Sequence, residues 1–114
     1  MADGTDAETR ALRFLESRGL KLVCRNWRGR GGELDLVMLD RAALVVIEVR
    51  SRRATTHGDA LASIDRHKRG RIILATRQFL AAHPQHSERE VRFDAIGIDA
   101  GQLRWITAAF DADG

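Results

Sequence analysis

At 114 residues with 44% hydrophobic positions, the chain can bury a real core without disulfide or metal staples, which excludes a disordered segment. The net charge of +3 is modest, yet the basic groups are nearly all arginine, the side chain best suited to bidentate phosphate contacts, so composition leans weakly toward a nucleic-acid partner. A single cysteine, Cys24, excludes an internal disulfide and fits a reducing cytoplasm, and no apolar run reaches the roughly 18 residues of a membrane span.

Residues 1–8 lack the basic and apolar regions of a signal peptide, and no repeat divides the sequence, so residues 1–114 are expected to form one domain. Residues 5–18 read as a helix, with Thr5 or Asp6 as N-cap and Gly19 as the stop. Ala11, Leu12 and Leu15 form its apolar stripe, and Glu8 falls on that same stripe. Glu8 either favours the first turn through the helix dipole or aims a carboxylate at the sheet.

Residues 20–27 read as a strand in which Leu20, Leu22 and Cys24 share a face, making Cys24 a small core residue. The following basic, glycine-rich loop, running to Gly32, carries Arg28, Arg30 and Trp27. It can touch phosphate or stack on a base, or else be solvated with Trp27 folded onto the core. Its glycines match no GxGxxG or Walker pattern, so a nucleotide cofactor has no support.

Residues 33–50 read as a hairpin turning about residues 40–43, with Leu39 opposite Leu44 and Val37 opposite Val46. That register sets Asp35 opposite Glu48 and Glu33 opposite Arg50. Leu34, Leu36 and Met38 line one face of the first strand, and the second strand is apolar on both faces, as in the middle of a covered sheet. Like charges directly opposed across strands destabilise a sheet, and a bound divalent cation is the simplest reason for Asp35 to sit beside Glu48.

Residues 50–59 form a basic loop rich in turn formers, with Arg52 and Arg53, well suited to lie beside a phosphodiester. A long second helix is expected from residue 58 or 59 to 82, with Pro84 after its end and a stripe of Leu61, Ile64, Ile72, Ala75 and Phe79. Lys68 lies in the centre of that stripe, where it either snorkels to water or reaches into the cleft. Arg66, Arg69, Arg71 and Arg77 lie off the stripe and make the helix basic. His83 and His86 lack a ligand pattern for zinc. Residues 90–99 and 102–110 read as strands joined at Ala100-Gly101, with Arg92 and Asp94 either a surface ion pair at the strand start, the favoured reading, or lining the same cleft.

Helix, three strands, helix and two strands predict an α/β fold, a central mixed β-sheet flanked by α-helices. The hairpin is antiparallel, and the second helix crosses over to bring a later strand in parallel. Two acids meeting across a hairpin, beside a basic loop and a basic helix, suit a magnesium site for phosphoryl chemistry.

Glu8, Gly-Glu-Leu-Asp-Leu at 32–36, Ile-Glu-Val-Arg at 47–50, Lys68 and Arg-Phe-Asp at 92–94 together resemble the YraN-type (UPF0102-like) family of small bacterial endonuclease-like proteins. That family looks like a member of the PD-(D/E)-x-K nuclease superfamily, similar to Holliday-junction resolvases. The resemblance implies a restriction-endonuclease-like core and Mg²⁺ or Mn²⁺ held by Asp35, Glu48 and the backbone carbonyl of Val49. It also implies a supporting role for Glu8, DNA as the partner and, by analogy with the resolvases, a homodimer.

One residue departs from the pattern: the lysine expected two positions after the glutamate is Arg50. Arginine stays protonated and cannot act as a general base, though it can hold a phosphate or stabilise charge. The catalytic set is therefore read as Glu8, Asp35, Glu48, Arg50 and Lys68, with Lys68 supplying the missing amine. Arg28, Arg30, Arg52, Arg53, Arg66 and Arg69 are the nucleic-acid contacts. The alternative is a catalytically impaired nucleic-acid-binding module of the same fold.

Overall fold

Five strands lie side by side in chain order, β1 (Lys21–Arg28), β2 (Glu33–Asp40), β3 (Ala43–Arg52), β4 (Val91–Asp99) and β5 (Gln102–Phe110). Neighbours pair antiparallel except β3 and β4, which run parallel through the crossover containing α2 (Arg66–Ala82). The computed structural model describes residues 4–52 and 60–113.

The expected α/β architecture, a mixed sheet flanked by helices, follows from two apolar faces. Ala11, Leu12 and Leu15 of α1 (Gly4–Ser17) pack on Leu36, Met38, Val45, Ile47, Val49, Ile96 and Ile98. Ile72, Ala75 and Phe79 of α2 pack on Val37, Leu44, Val46, Phe93 and Ala95 across the opposite face. The central strand β3 is therefore covered on both sides.

α1 begins at Gly4, ahead of both expected caps, and ends where Gly19 takes a left-handed φ of 95°. There the amide of Leu20 donates to the Leu15 carbonyl at 3.1 Å, the six-to-one bond of a Schellman motif.

α2 starts at Arg66 rather than at residue 58 or 59. Ile64 leaves helical geometry at ψ 77°, and Asp65 caps the helix by accepting from the Lys68 amide at 2.9 Å. Leu61 and Ile64 reach the same core from a separate 3₁₀ turn, Leu61–Ser63, so their helical spacing with Ile72 was not evidence of one continuous helix.

Strand faces depart from simple alternation at two places. A register shift between Leu22 and Cys24 separates three residues expected on one face: Leu20 joins the α1-side core, Leu22 is exposed, and half-buried Cys24 packs on the α2-side core. Burial pushes the Cys24 thiol pKa up, consistent with an inert thiol. In β2, Leu34 packs with Val37 on the α2 side rather than with Leu36 and Met38, beyond the point where the ladder with β3 ends.

The Arg92–Asp94 pair is not on the surface. Asp94 is fully buried, and its carboxylate accepts two bonds from Arg92 at 2.9 and 3.0 Å. It also accepts from Trp105 Nε1 at 3.0 Å and from the Ala108 amide at 2.9 Å. Arg92 continues to Asp40 at 3.0 Å, tying the β2–β3 hairpin to β4 and β5. The histidines are structural too: His83 stacks on Phe79 at 4.1 Å, and His86 accepts from Arg89 at 2.9 Å.

Candidate active site

The β2–β3 ladder runs from Asp40–Ala43 to Leu36–Ile47 and then stops. Continued by its own alternation, the next hydrogen-bonded pair would join Val49 to Leu34. Instead the Val49 amide donates to Asp35 Oδ2 at 2.9 Å. A side chain thus replaces a ladder bond, and β2 parts from β3 while β3 stays paired with β4 as far as Arg52. In an extended residue the N–H and C=O project to the same edge, so the Val49 carbonyl also faces this opening.

The gap forms the floor of a cleft of about 700 Å³ lined by Glu8, Asp35, Glu48, Val49, Arg50 and Lys68. All six residues expected at the catalytic and metal positions are thereby brought together. Glu48 lies on the same face of β3 as Leu44 and Val46, which turns it toward α2. Lys68 approaches from that helix to place Nζ 3.1 Å from Glu48 Oε2. Of the two readings for a lysine on an apolar stripe, the one reaching into the cleft is correct.

Glu33 does not pair with Arg50 as the hairpin register suggested. The ladder ends first, and Glu33 instead meets Arg28 at 3.2 Å across β1 and β2. Arg50 turns to the 3₁₀ turn, donating from Nε to Ser63 Oγ at 2.9 Å, with its Nη1 3.7 Å from Glu48 Oε2.

The acids are crowded. Burial, the neighbouring Asp35 charge and a hydrogen bond to Asp35 push the Glu48 pKa up to about 8, against the opposing pull of Lys68. Burial first and Asp35 second also raise the pKa of Glu8. Glu8 Oε1 is buried without a hydrogen-bond donor, its nearest cation being Arg25 at 3.8 Å. No three His, Cys, Asp or Glu side chains among the described residues form a metal cage. Two crowded carboxylates, a carbonyl aimed at the same gap and an orphaned acidic oxygen nearby nevertheless suit Mg²⁺, which takes few protein oxygens and keeps its waters.

Of the six arginines expected to touch nucleic acid, the five described do not line the cleft. Arg28 is engaged by Glu33, Arg69 Nε donates to the Ile64 carbonyl at 3.3 Å, and Arg30, Arg52 and Arg66 do not line the cleft. Arg53 lies outside the described residues. The glycine loop is strapped down, with Trp27 edge-on to Phe79 at 5.4 Å and the Gly31 amide donating to Gln78 Oε1 at 3.2 Å. The cleft-lining residues not named from sequence are Ala7, Ser51, Ser63, Asp65 and His67, while Arg71 was read only as part of the basic face of the helix. For His67 and Arg71 the signal was present, since they are four apart on a helix and flank Lys68.

The fold and site define a small α/β domain whose sheet opens at one end into a carboxylate-floored cleft with a cationic helical wall. The chain belongs to the uncharacterised protein family UPF0102, whose model matches residues 7–98, and this is the YraN-type family that the motifs resemble. It is 46% identical over 112 residues to a UPF0102 protein of Alcanivorax borkumensis, covering 94% of this chain and 90% of the relative. It is 48% identical over 112 residues to one of Dechloromonas aromatica, covering 98% and 91%. Among the described residues no helix is long and apolar enough to cross a membrane.

Proposed function

We infer that the protein is a metal-dependent nuclease-like hydrolase acting on DNA phosphodiesters in the cytoplasm, with branched or damaged DNA as the class its resemblance to junction resolvases favours. The observation that carries this reading is the convergence of Asp35, Glu48 and Lys68 where a carboxylate has replaced a ladder bond. Asp35, Glu48 and the Val49 carbonyl would hold Mg²⁺ or Mn²⁺. Such an ion supplies Lewis acidity and a bound water of lowered pKa.

The rest falls to the chain's own groups. Lys68 orients and partly neutralises Glu48, and its ammonium can donate to an attacking water or to a phosphoryl oxygen. Arg50 cannot take a proton. Its guanidinium, anchored to Ser63, contributes fixed positive charge beside the site. Glu8 adds negative charge that favours a cation over an isolated phosphate.

One observation favours the second reading, an impaired nucleic-acid-binding module. Lys68 and Arg50 both approach the same oxygen, Glu48 Oε2, which turns both cations toward the carboxylate rather than toward a water or a phosphate. Incubation with a four-way DNA junction in Mn²⁺ tests the two. Nicking that Asp35→Ala abolishes supports the nuclease. Salt-sensitive binding without metal-stimulated nicking supports the module. A homodimer would offer a branched substrate two clefts, and sedimentation of the protein with and without the junction reads that stoichiometry.

A further inference from the structure

α2 carries two stripes. Lys68, Ile72, Ala75 and Phe79 face the sheet, whereas His67, Arg71, Leu74 and Gln78 run along the adjoining edge at helical spacing. The later part of that second stripe holds the glycine loop. Gln78 accepts from the Gly31 amide, and a Cβ on Gly31 would fall 2.3 Å from Leu74 Cδ2. At Gly32 the loop passes so close that a Cβ would lie 3.1 Å from the Arg71 carbonyl oxygen.

Beyond Gly32 the loop no longer covers the stripe. His67 and Arg71, about 6 Å apart along the helix axis, line the cleft, and both are exposed. Neither side chain has an ion pair or hydrogen bond among the described residues. By contrast, the Arg50 and Lys68 side chains are already engaged with Ser63 and Glu48. The acidic floor thus has one wall with two uncommitted donors, and Gly32, whose missing Cβ lets the loop lie close against Arg71, lines the cleft beside them. Histidine donates a ring N–H in either protonation state, and arginine presents a planar fork matched to phosphate.

We propose that His67 and Arg71 form a phosphate-binding step on the α2 wall, taking the DNA backbone phosphate next to the one at the Asp35–Glu48 centre. This rests on the nuclease-like reading of that centre and adds the residues that place the strand across it. The step holds substrate and takes no part in bond breaking.

The test measures binding of a fluorescent DNA junction by anisotropy in Ca²⁺, over a range of salt, for the wild type, His67→Ala, Arg71→Ala and Arg13→Ala on the exposed face of α1. Calorimetric Mn²⁺ titration is run on each protein. Arg71→Ala is expected to weaken DNA binding at least about tenfold and to flatten the log–log salt dependence by about 0.9, the loss of one phosphate contact. His67→Ala should weaken binding by a few-fold, and Arg13→Ala should match the wild type. Mn²⁺ affinity should be unchanged in all variants. Arg71→Lys should recover part of the binding, separating charge from fold. If Arg71→Ala binds DNA as the wild type does, the step is overturned and the metal centre stands. If the wild type binds neither Mn²⁺ nor DNA, the reading of the centre falls and the step falls with it.

Discussion

Lys68 on α2 and Glu48 on β3 meet at 3.1 Å, ammonium to carboxylate, across the mouth of the parting β2–β3 hairpin. The pair supplies from a helix the positive charge that the strand, with Arg50 two residues after Glu48, cannot supply as an amine. Lys68→Ala should therefore lower metal-stimulated DNA nicking at least about 100-fold, the lower end of what one positioned acid–base group contributes. Arg50→Lys should raise nicking. Equal rates for Lys68→Ala and the wild type would remove Lys68 from the catalytic set. Glu48 is buried, so the change also takes the cation from a buried carboxylate, and a urea midpoint measured beside the rate separates lost chemistry from lost fold.

Glu48 gives the metal-free protein a specific pH dependence. Burial, and then Asp35, push its carboxyl from the ordinary 4.5 up to about 8 in the fold. Between those values the folded state holds more protons than the unfolded state, so this stabilising contribution is complete below about 4.5 and is lost as pH rises through 8. The loss cannot exceed about 1.4 kcal/mol per pH unit for one proton. Urea midpoints in chelator should fall across that window in the wild type, and the fall should be shallower in Glu48→Gln. Indistinguishable profiles would show that Glu48 does not carry this proton.

Much of this site was legible in the sequence because it depends on local register. The period-2 pattern on both sides of Arg41-Ala42 fixes Leu39 against Leu44 and Val37 against Val46, and so aims Asp35 at Glu48. What that pattern could not contain was the end of the ladder. Asp35 taking the Val49 amide is a long-range choice between a side chain and a carbonyl, and it alone explains why Glu33 never meets Arg50. The start of α2 was missed for a related reason: Leu61 and Ile64 keep an apolar spacing while Asp65 caps a new helix. The depth of Asp94 was hidden because the four hydrogen bonds to it, two from its own strand and two from β5, form only when the tertiary fold closes over them.

That buried carboxylate yields a stability prediction. Asp94 is fully buried, with Arg92, Trp105 and Ala108 as donors. Asp94→Ala leaves a buried guanidinium edge, an indole N–H and an amide unsatisfied, and should cost about 3–5 kcal/mol. Asp94→Asn keeps the shape but loses the charge for Arg92 and should cost less. Chemical denaturation reads both. A loss under about 1 kcal/mol for Asp94→Ala would mean that water replaces the carboxylate without difficulty.

The β4–β5 turn offers a change of opposite sign. Ala100 and Gly101 both adopt left-handed φ, 51° and 82°, between the paired residues Asp99 and Gln102. Two positive φ values in a two-residue hairpin define the type I′ pattern, for which Asn-Gly is preferred. Alanine at the first position carries a Cβ penalty that asparagine lessens by bonding its own backbone. Ala100→Asn should stabilise the protein by about 0.5–1 kcal/mol. It should leave DNA binding and metal affinity unchanged, since neither Ala100 nor Gly101 lines the cleft. A thermal midpoint at or below that of the wild type would show that the turn relaxes to accommodate alanine at no cost.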